Sequence, residues 1–229
     1  LVINYLPVGS ECASRFYAEA ALQAGCGFVN CIPTFIASDL EWRKRFEAEG
    51  LALVGDDIKS QFGATMLHRL LIEGIVSRGC EIRSSYQLSL GGNTDFMNMQ
   101  DESRISNKKV SKTEAITSLL GSLHSDSPTQ VITAGFVRKL GDRKTCYINI
   151  QAQNLGGHPF ELDVKLSVED SANSAGSVVD LIRYAAATQR VGKTGELLPA
   201  CANYCKRPPI QMREVDAIRE LNKLEFANS

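Results

Sequence analysis

The sequence has no excess of charge of either sign: 25 basic side chains face 26 acidic ones, for a net charge of -1. That balance excludes an electrostatic footprint for nucleic acid or for an anionic membrane surface. No apolar run approaches the ~20 residues needed to span a bilayer. There is one tryptophan, Trp42, and there are seven cysteines, an odd number without metal-ligand spacing. Cys201 and Cys205 are four apart, with no second pair or histidine at a matching distance. Cys26, Cys31 and Cys146 fall in apolar runs and read as small buried hydrophobes of a reducing, cytoplasmic compartment. A Gly-x-Gly-x-x-Gly turn is absent, as are an initiator Met and a signal peptide. Residues 1–6 already read as a buried strand, so an N-terminal portion of the natural protein is expected to precede Leu1.

What is present is a chain of 229 residues, 44% hydrophobic, long enough for one domain or two small ones. Its central stretch is Val54-Gly55-Asp56-Asp57-Ile58-Lys59-Ser60-Gln61-Phe62-Gly63-Ala64-Thr65. A short apolar strand precedes it and a helical pattern follows from Met66 to Ile75. Loops at the carboxyl ends of parallel strands are where ligands bind. A helix start with a hydroxyl and a glycine is an anion seat. The stretch therefore offers a phosphate site beside an acid–base group. The plainer alternative is that Asp57 or Ser60 merely caps the helix.

Before this stretch the pattern alternates strand and helix. Strands are expected at residues 1–6, 27–32 and 51–54. Helices are expected at residues 10–24, with Ser10 as N-cap, and at residues 38–49. This is the pattern of a parallel sheet with right-handed crossovers, the second half of a doubly wound fold.

After it, residues 81–90 are extended with partial alternation and lead into Gly91-Gly92-Asn93-Thr94-Asp95-Phe96. The glycine pair permits close backbone approach. Asn93 and Asp95 then either face a ligand or form a turn and helix cap. Lys108 and Lys112 would share one helix face, where each makes it easier for the other to lose a proton; a solvated basic turn is the alternative. Residues 130–138, 145–153 and 160–168 read as antiparallel strands with one polar face, joined by turns at residues 141–144 and 156–157. A helix rich in small residues follows from about residue 169 to 190. Pro208 and Pro209 fix the direction of Lys206, and a last amphipathic helix is expected near residues 213–225.

Six blocks in this order carry a specific resemblance: Asn4-Tyr5-Leu6-Pro7-Val8-Gly9-Ser10-Glu11, Gly55-Asp56-Asp57-Ile58-Lys59-Ser60-Gln61, Gly91-Gly92-Asn93-Thr94-Asp95-Phe96, Lys109-Val110-Ser111-Lys112-Thr113, Gly141-Asp142-Arg143-Lys144 and Val168-Glu169-Asp170-Ser171. Together they resemble the myo-inositol-1-phosphate synthase family, especially its shorter archaeal and bacterial members, over essentially the whole chain. The resemblance implies an α/β fold: a partial Rossmann-like parallel sheet plus an α+β catalytic and tetramerisation domain with a mainly antiparallel sheet. It places the first at residues 1–57, with a helical return near 171–229, and the second at residues 58–170.

The activity it implies is inositol biosynthesis. D-glucose 6-phosphate is oxidised at C5 with NAD, enolised, closed by an intramolecular aldol step and reduced again to an inositol monophosphate. Carried over by motif, Asp57, Lys108, Lys112, Lys144 and Lys206 are catalytic. Ser60, Gln61, Phe62 and Gly63 sit at the phosphate-binding helix start, and Asn93 and Asp95 lie beside the substrate. Pro7, Gly9, Pro33 and Asp170 lie toward the cofactor. A divalent or monovalent cation is also implied, with no ligand set here to identify it, and so is a homotetramer. Two rival readings remain: an oxidoreductase on another sugar phosphate that releases NADH, and a catalytically silent homologue with a structural or sensing role. The full set of four lysines favours the cyclising enzyme, because a plain dehydrogenase needs one base.

Overall fold

The computed structural model describes residues 1–119 and 129–224, which fall into two compact units. One comprises residues 1–61 and 174–229, the other residues 62–173.

In the first unit, β1 (Val2–Asn4), β2 (Phe28–Asn30) and β3 (Leu53–Val54) form a parallel sheet in that order. The crossovers are α1 (Glu11–Gln23) and α2 (Leu40–Ala48). Phe28, Ile36, Phe46 and Leu53 bury one cluster against α1 and α2. Val29, Val54 and Ile58 bury another against α6 (Asp170–Arg190) and α7 (Leu198–Tyr204). Strands β2 and β3 are buried along their whole length, as parallel strands require, whereas Ile3 of β1 is exposed. The cap expectation at Ser10 changes. Ser10 occupies the N-cap of α1 without a side-chain bond, while α2 is capped by Asp39, whose carboxylate accepts from Glu41 N. The last helix of this unit, α8 (Glu214–Leu221), is shorter than the pattern suggested, and Glu225 lies outside the described residues.

The second unit is a four-stranded sheet in the order β5-β4-β6-β7. It consists of β4 (Glu81–Gly91), β5 (Thr129–Phe136), β6 (Arg143–Gln153) and β7 (Pro159–Glu169). Strands β4, β6 and β7 are antiparallel neighbours, but β5 runs parallel to β4. This corrects the expectation for residues 130–138. The connection from β4 passes through α4 (Thr94–Asn98) and α5 (Glu102–Thr117), and a helical crossover returns the chain in the same direction. Lys144 also moves from the expected turn into β6.

One sheet face packs on α3 (Ala64–Ser77) and α5 through Ile72, Ile82, Ile116, Val131, Cys146, Ile148 and Ile150. The partial alternation of β4 has two causes. A register shift falls between Ile82 and Ser84, and three core-facing positions, Ser85, Gln87 and Ser89, are polar and buried.

Beside Gln87 lies His68 of α3, fully buried, with neither ring nitrogen hydrogen-bonded among the described residues. Burial lowers its pKa from 6.5 to about 4, with Gln87 opposing the shift. As pH falls below the unfolded value, the unfolded chain takes up the proton first, so stability declines from that value down to the folded one. The expected slope reaches about 1.4 kcal/mol per pH unit. Urea midpoints taken near neutrality and near the middle of that window check this. The slope is expected to flatten in H68Q, and an identical slope in H68Q would refute the assignment.

Candidate active site

The first unit assembles its polar groups where the three parallel strands end. The segment after β3 does not coil into a helix. Instead, Asp57 N and Ile58 N donate to Ile32 O and Cys31 O at 3.1 Å each. On its other side, Asp56 N donates to Arg207 O (2.9 Å), Lys206 N to Asp57 O (2.7 Å) and Lys59 N to Tyr204 O (2.7 Å). Residues 56–59 are thus a strip, bent at Asp56 and Asp57, held between two other segments of the same unit. Asp57 takes a left-handed backbone (φ 58°), which is disfavoured for a residue with a Cβ. The Lys206 Nζ donates to Asp57 Oδ1 at 2.8 Å and to Ile58 O at 2.7 Å. The aspartate and the lysine, 149 positions apart, therefore form a part-buried ion pair.

The strip also settles the capping alternative. Helix α3 begins only after Gly63, its N-cap, so neither Asp57 nor Ser60 caps it. Ser60 and Gln61 close the first unit's strip, with Gln61 against Gly176 of α6, where a Cβ would lie 2.7 Å from Oε1. Phe62 and Gly63 open the second unit. There Phe62 is tied by its backbone: its N donates to Asn173 Oδ1 (3.2 Å) and its O accepts from Asn173 Nδ2 (2.7 Å). The Phe62 ring itself is exposed.

Pro7, Gly9 and Pro33 lie on the loops leaving β1 and β2, at the same carboxyl edge as the strip. Gly9 has φ 91°, a value glycine adopts without strain.

In the second unit, helical phase sorts the lysines of α5. Lys108 and Lys112 are buried while the adjacent Lys109 is exposed. Lys108 pairs with Asp95 in the first turn of α4. Lys144 pairs with Asp170 at 3.0 Å and lies 5.7 Å from the Phe96 ring centre. Cys146, two residues along β6, shows where these cations stand. Burial pushes its thiol pKa up, and the nearby Ser89 hydroxyl and the charges of Lys144 and Lys112 oppose that. Lys112 and Lys144 therefore both act on one thiol.

Of its two readings Asn93 takes the helix cap. Its Oδ1 caps α4 by accepting from Phe96 N, and its Nδ2 donates to Asp142 Oδ1 at 3.1 Å. Asp142 also accepts from Ser171 N (2.9 Å) and Ser171 Oγ (2.6 Å) at the start of α6. Burial raises its pKa, but the bonds from Ser171 and Asn93 outweigh it and the net shift is downward. Asp142, Ser171 and Asn173 stand in or beside matched blocks, yet nothing in their spacing announced these contacts.

Gly92 is what allows this hub to form. A Cβ there would lie 2.5 Å from Val137 O and 2.6 Å from Gly141 N, both backbone atoms. G92A is expected to lower stability by roughly 1–3 kcal/mol through overpacking and to displace Asn93 from Asp142. Thermal unfolding and turnover of the variant check this, and wild-type values for both would refute it.

Among the described residues no cluster of three His, Cys, Asp or Glu is arranged to hold a metal ion, all seven cysteines are free, and no helix is long and apolar enough to cross a membrane.

Comparison with known proteins adds a family. The family model described as Myo-inositol-1-phosphate synthase matches residues 63–171. The chain is 45% identical to an inositol-3-phosphate synthase of Corynebacterium glutamicum and 44% identical to one of Mycolicibacterium smegmatis, in each case over 96% of this chain and 62% of the relative. It thus spans somewhat under two thirds of the curated relatives it matches. Among solved structures, a myo-inositol-1-phosphate synthase-related protein from Thermotoga maritima superposes with a TM-score of 0.82 at 27% identity, covering 92% of this chain and 56% of that one.

Proposed function

Over the portion of its relatives that it spans, the chain belongs to the myo-inositol-1-phosphate synthase family, and from that premise we propose that the protein cyclises D-glucose 6-phosphate to an inositol monophosphate with NAD as cofactor. The observation that carries the reading is the lysine set. Lys108, Lys144 and Lys206 each hold a carboxylate partner, and Lys112 is buried near Lys144. A sugar phosphate that passes through an enolate and an aldol closure develops negative charge on two oxygens. Preorganised cations in a sheltered site stabilise such charge.

In this reading Lys206, steered by Asp57, takes and returns the proton of the reacting hydroxyl. Lys108, Lys112 and Lys144 neutralise the carbonyl oxygens as they become oxyanions. Asp95 and Asp170 keep two of those ammonium groups in place until the substrate arrives. Ser60, Gln61, Phe62 and Gly63 supply the phosphate seat, with Asn93 beside the sugar.

The first unit fits the nicotinamide half of a dinucleotide. Its parallel strands release their loops at one edge, with Gly9 in a left-handed turn there. Pro7, Gly9 and Pro33 would line that half. Bound NAD supplies the oxidation and re-reduction at C5.

The open face of the second unit's sheet carries exposed Tyr86 and Tyr147, with the Lys165 ammonium 5.7 Å from the Tyr147 ring. It is the surface we assign to a homotetramer. Light scattering checks that state.

The test of function is turnover of glucose 6-phosphate with NAD⁺, followed by ³¹P NMR and by absorbance at the NADH band. Inositol phosphate without NADH accumulation is expected. NADH building up alone would indicate the sugar-phosphate oxidoreductase, and no turnover the silent homologue.

A further inference from the structure

A chain of buried hydrogen bonds crosses the carboxyl ends of all three parallel strands in the first unit, and none of its members belongs to the lysine machinery. Asn4 Nδ2, at the end of β1, donates to Asn30 Oδ1 at 2.9 Å. Asn30 Nδ2, at the end of β2, donates to Asp56 Oδ1 and to Thr34 O, each at 2.6 Å. Asp56, just beyond β3, has no solvent exposure at all. Its carboxylate also accepts from Ile36 N, Ala37 N and Ser38 N, each at 3.0 Å, and from Ser38 Oγ at 2.8 Å. Burial raises the Asp56 pKa, and the bonds from Asn30, Ser38 and Ala37 oppose the rise.

Three successive backbone N–H groups converging on one point form the kind of concavity that binds a phosphate or another anion. Here the protein's own carboxylate fills it, so those donors are already committed. A buried carboxylate is costly unless well supplied with donors. This one has Asn30, the three amides and a hydroxyl, all from a single loop and the strand before it. The loop is also closely packed: a Cβ on Gly55 would lie 2.8 Å from Asn30 O and 3.3 Å from the Ala37 Cβ. Its shape therefore depends on Asp56. The loop in question, residues 33–38, leaves β2 at the edge where α/β sheets bind their ligands.

We propose that Asp56 is a positioning residue for the dinucleotide: a built-in anion that sets the shape of the loop after β2 against which the nicotinamide half binds. The two adjacent carboxylates thus divide the work, Asp56 turning to the cofactor loop and Asp57 to Lys206. The inference rests on the NAD-dependent reading given above.

The decisive variant is D56N. Asparagine keeps one acceptor oxygen but turns an NH₂ group toward N–H and O–H donors, so it leaves part of the loop unsatisfied. Equilibrium titration of the full-length protein with NAD⁺, without sugar phosphate, is expected to show binding weakened about tenfold or more. Affinity for glucose 6-phosphate in the same variant is expected to stay within about twofold. S38A removes only one donor and is expected to weaken NAD⁺ binding about threefold; if D56N does not fold, this variant decides. L221A, which trims a core side chain of α8 away from the loop, supplies a comparable loss of melting temperature and is expected to keep NAD⁺ affinity.

Unchanged NAD⁺ affinity in a folded D56N, or in S38A where D56N is insoluble, overturns the inference while leaving the function intact. An equal loss in L221A also overturns it, because the effect would then be one of general stability. A wild-type protein that binds no NAD⁺ overturns the functional reading and this inference together.

Discussion

K206M is expected to lower kcat by about a thousandfold, within the range for removing a positioned proton-transfer group and equivalent to about 4 kcal/mol of barrier. The geometry explains why the loss should be so large. The Lys206 ammonium is held by Asp57 Oδ1 and Ile58 O. The backbone around it is tied twice over, by Lys206 N to Asp57 O and by Arg207 N to Asp56 O (3.1 Å). A methionine fills the stem's volume but supplies neither proton nor charge. K206R keeps the charge but places it on a planar fork that does not readily give up a proton, so it should rescue little. The measurement is single-turnover conversion of glucose 6-phosphate by each variant, alongside its melting temperature. A K206M turnover within about tenfold of wild type would remove Lys206 from the chemistry.

K59M is expected to be the most destabilising single substitution in the first unit, by about 3–5 kcal/mol. Lys59 and Glu214 are 3% and 5% exposed at their side chains and 2.9 Å apart. The Lys59 Nζ also donates to Ala202 O at 2.8 Å. This lysine therefore ties the strip 56–59 to α7 and α8 from the inside. Removing one member leaves a buried carboxylate without its main counter-charge, which costs more than the pair itself contributes. Replacing both members by apolar residues avoids that penalty, so K59M/E214L is expected to recover most of the loss. Urea unfolding followed by the fluorescence of Trp42, which lies in the same unit, reads the effect. A K59M midpoint equal to wild type, or a double variant as unstable as the single, would contradict it.

These two lysines show how far the sequence reaches. Lys59 and Lys206 both stand in short polar stretches, one after β3 and the other after α7, and nothing local shows that Lys59 pairs with Glu214 and Lys206 with Asp57. In α5 the local signal was better. Spacing alone put Lys108 and Lys112 on one helix face, and the helix buries both while Lys109 is exposed. Local periodicity also sufficed for the three parallel strands, their crossover helices and the β6–β7 ladder, because burial on one or both faces writes itself into adjacent residues.

Direction was not legible for β5. Alternation in a strand records which face is buried and carries nothing about the neighbour's orientation, which the α5 crossover decided. Nor was the contrast between the two carboxylates after β3. Asp56 and Asp57 are adjacent and identical in type, yet one is enclosed by the amides of residues 36–38 and the other faces Lys206.

By itself, then, the sequence determined the order and kind of most elements, the resemblance to a family, and which lysines and carboxylates are at hand. Tertiary structure alone decided which lysine meets which carboxylate: Lys206 with Asp57, Lys144 with Asp170, Lys59 with Glu214. The physical reason is range. Helical and strand patterns arise from interactions a few residues long, whereas an ion pair between positions 149 or 155 residues apart exists only once the core has brought those backbones together.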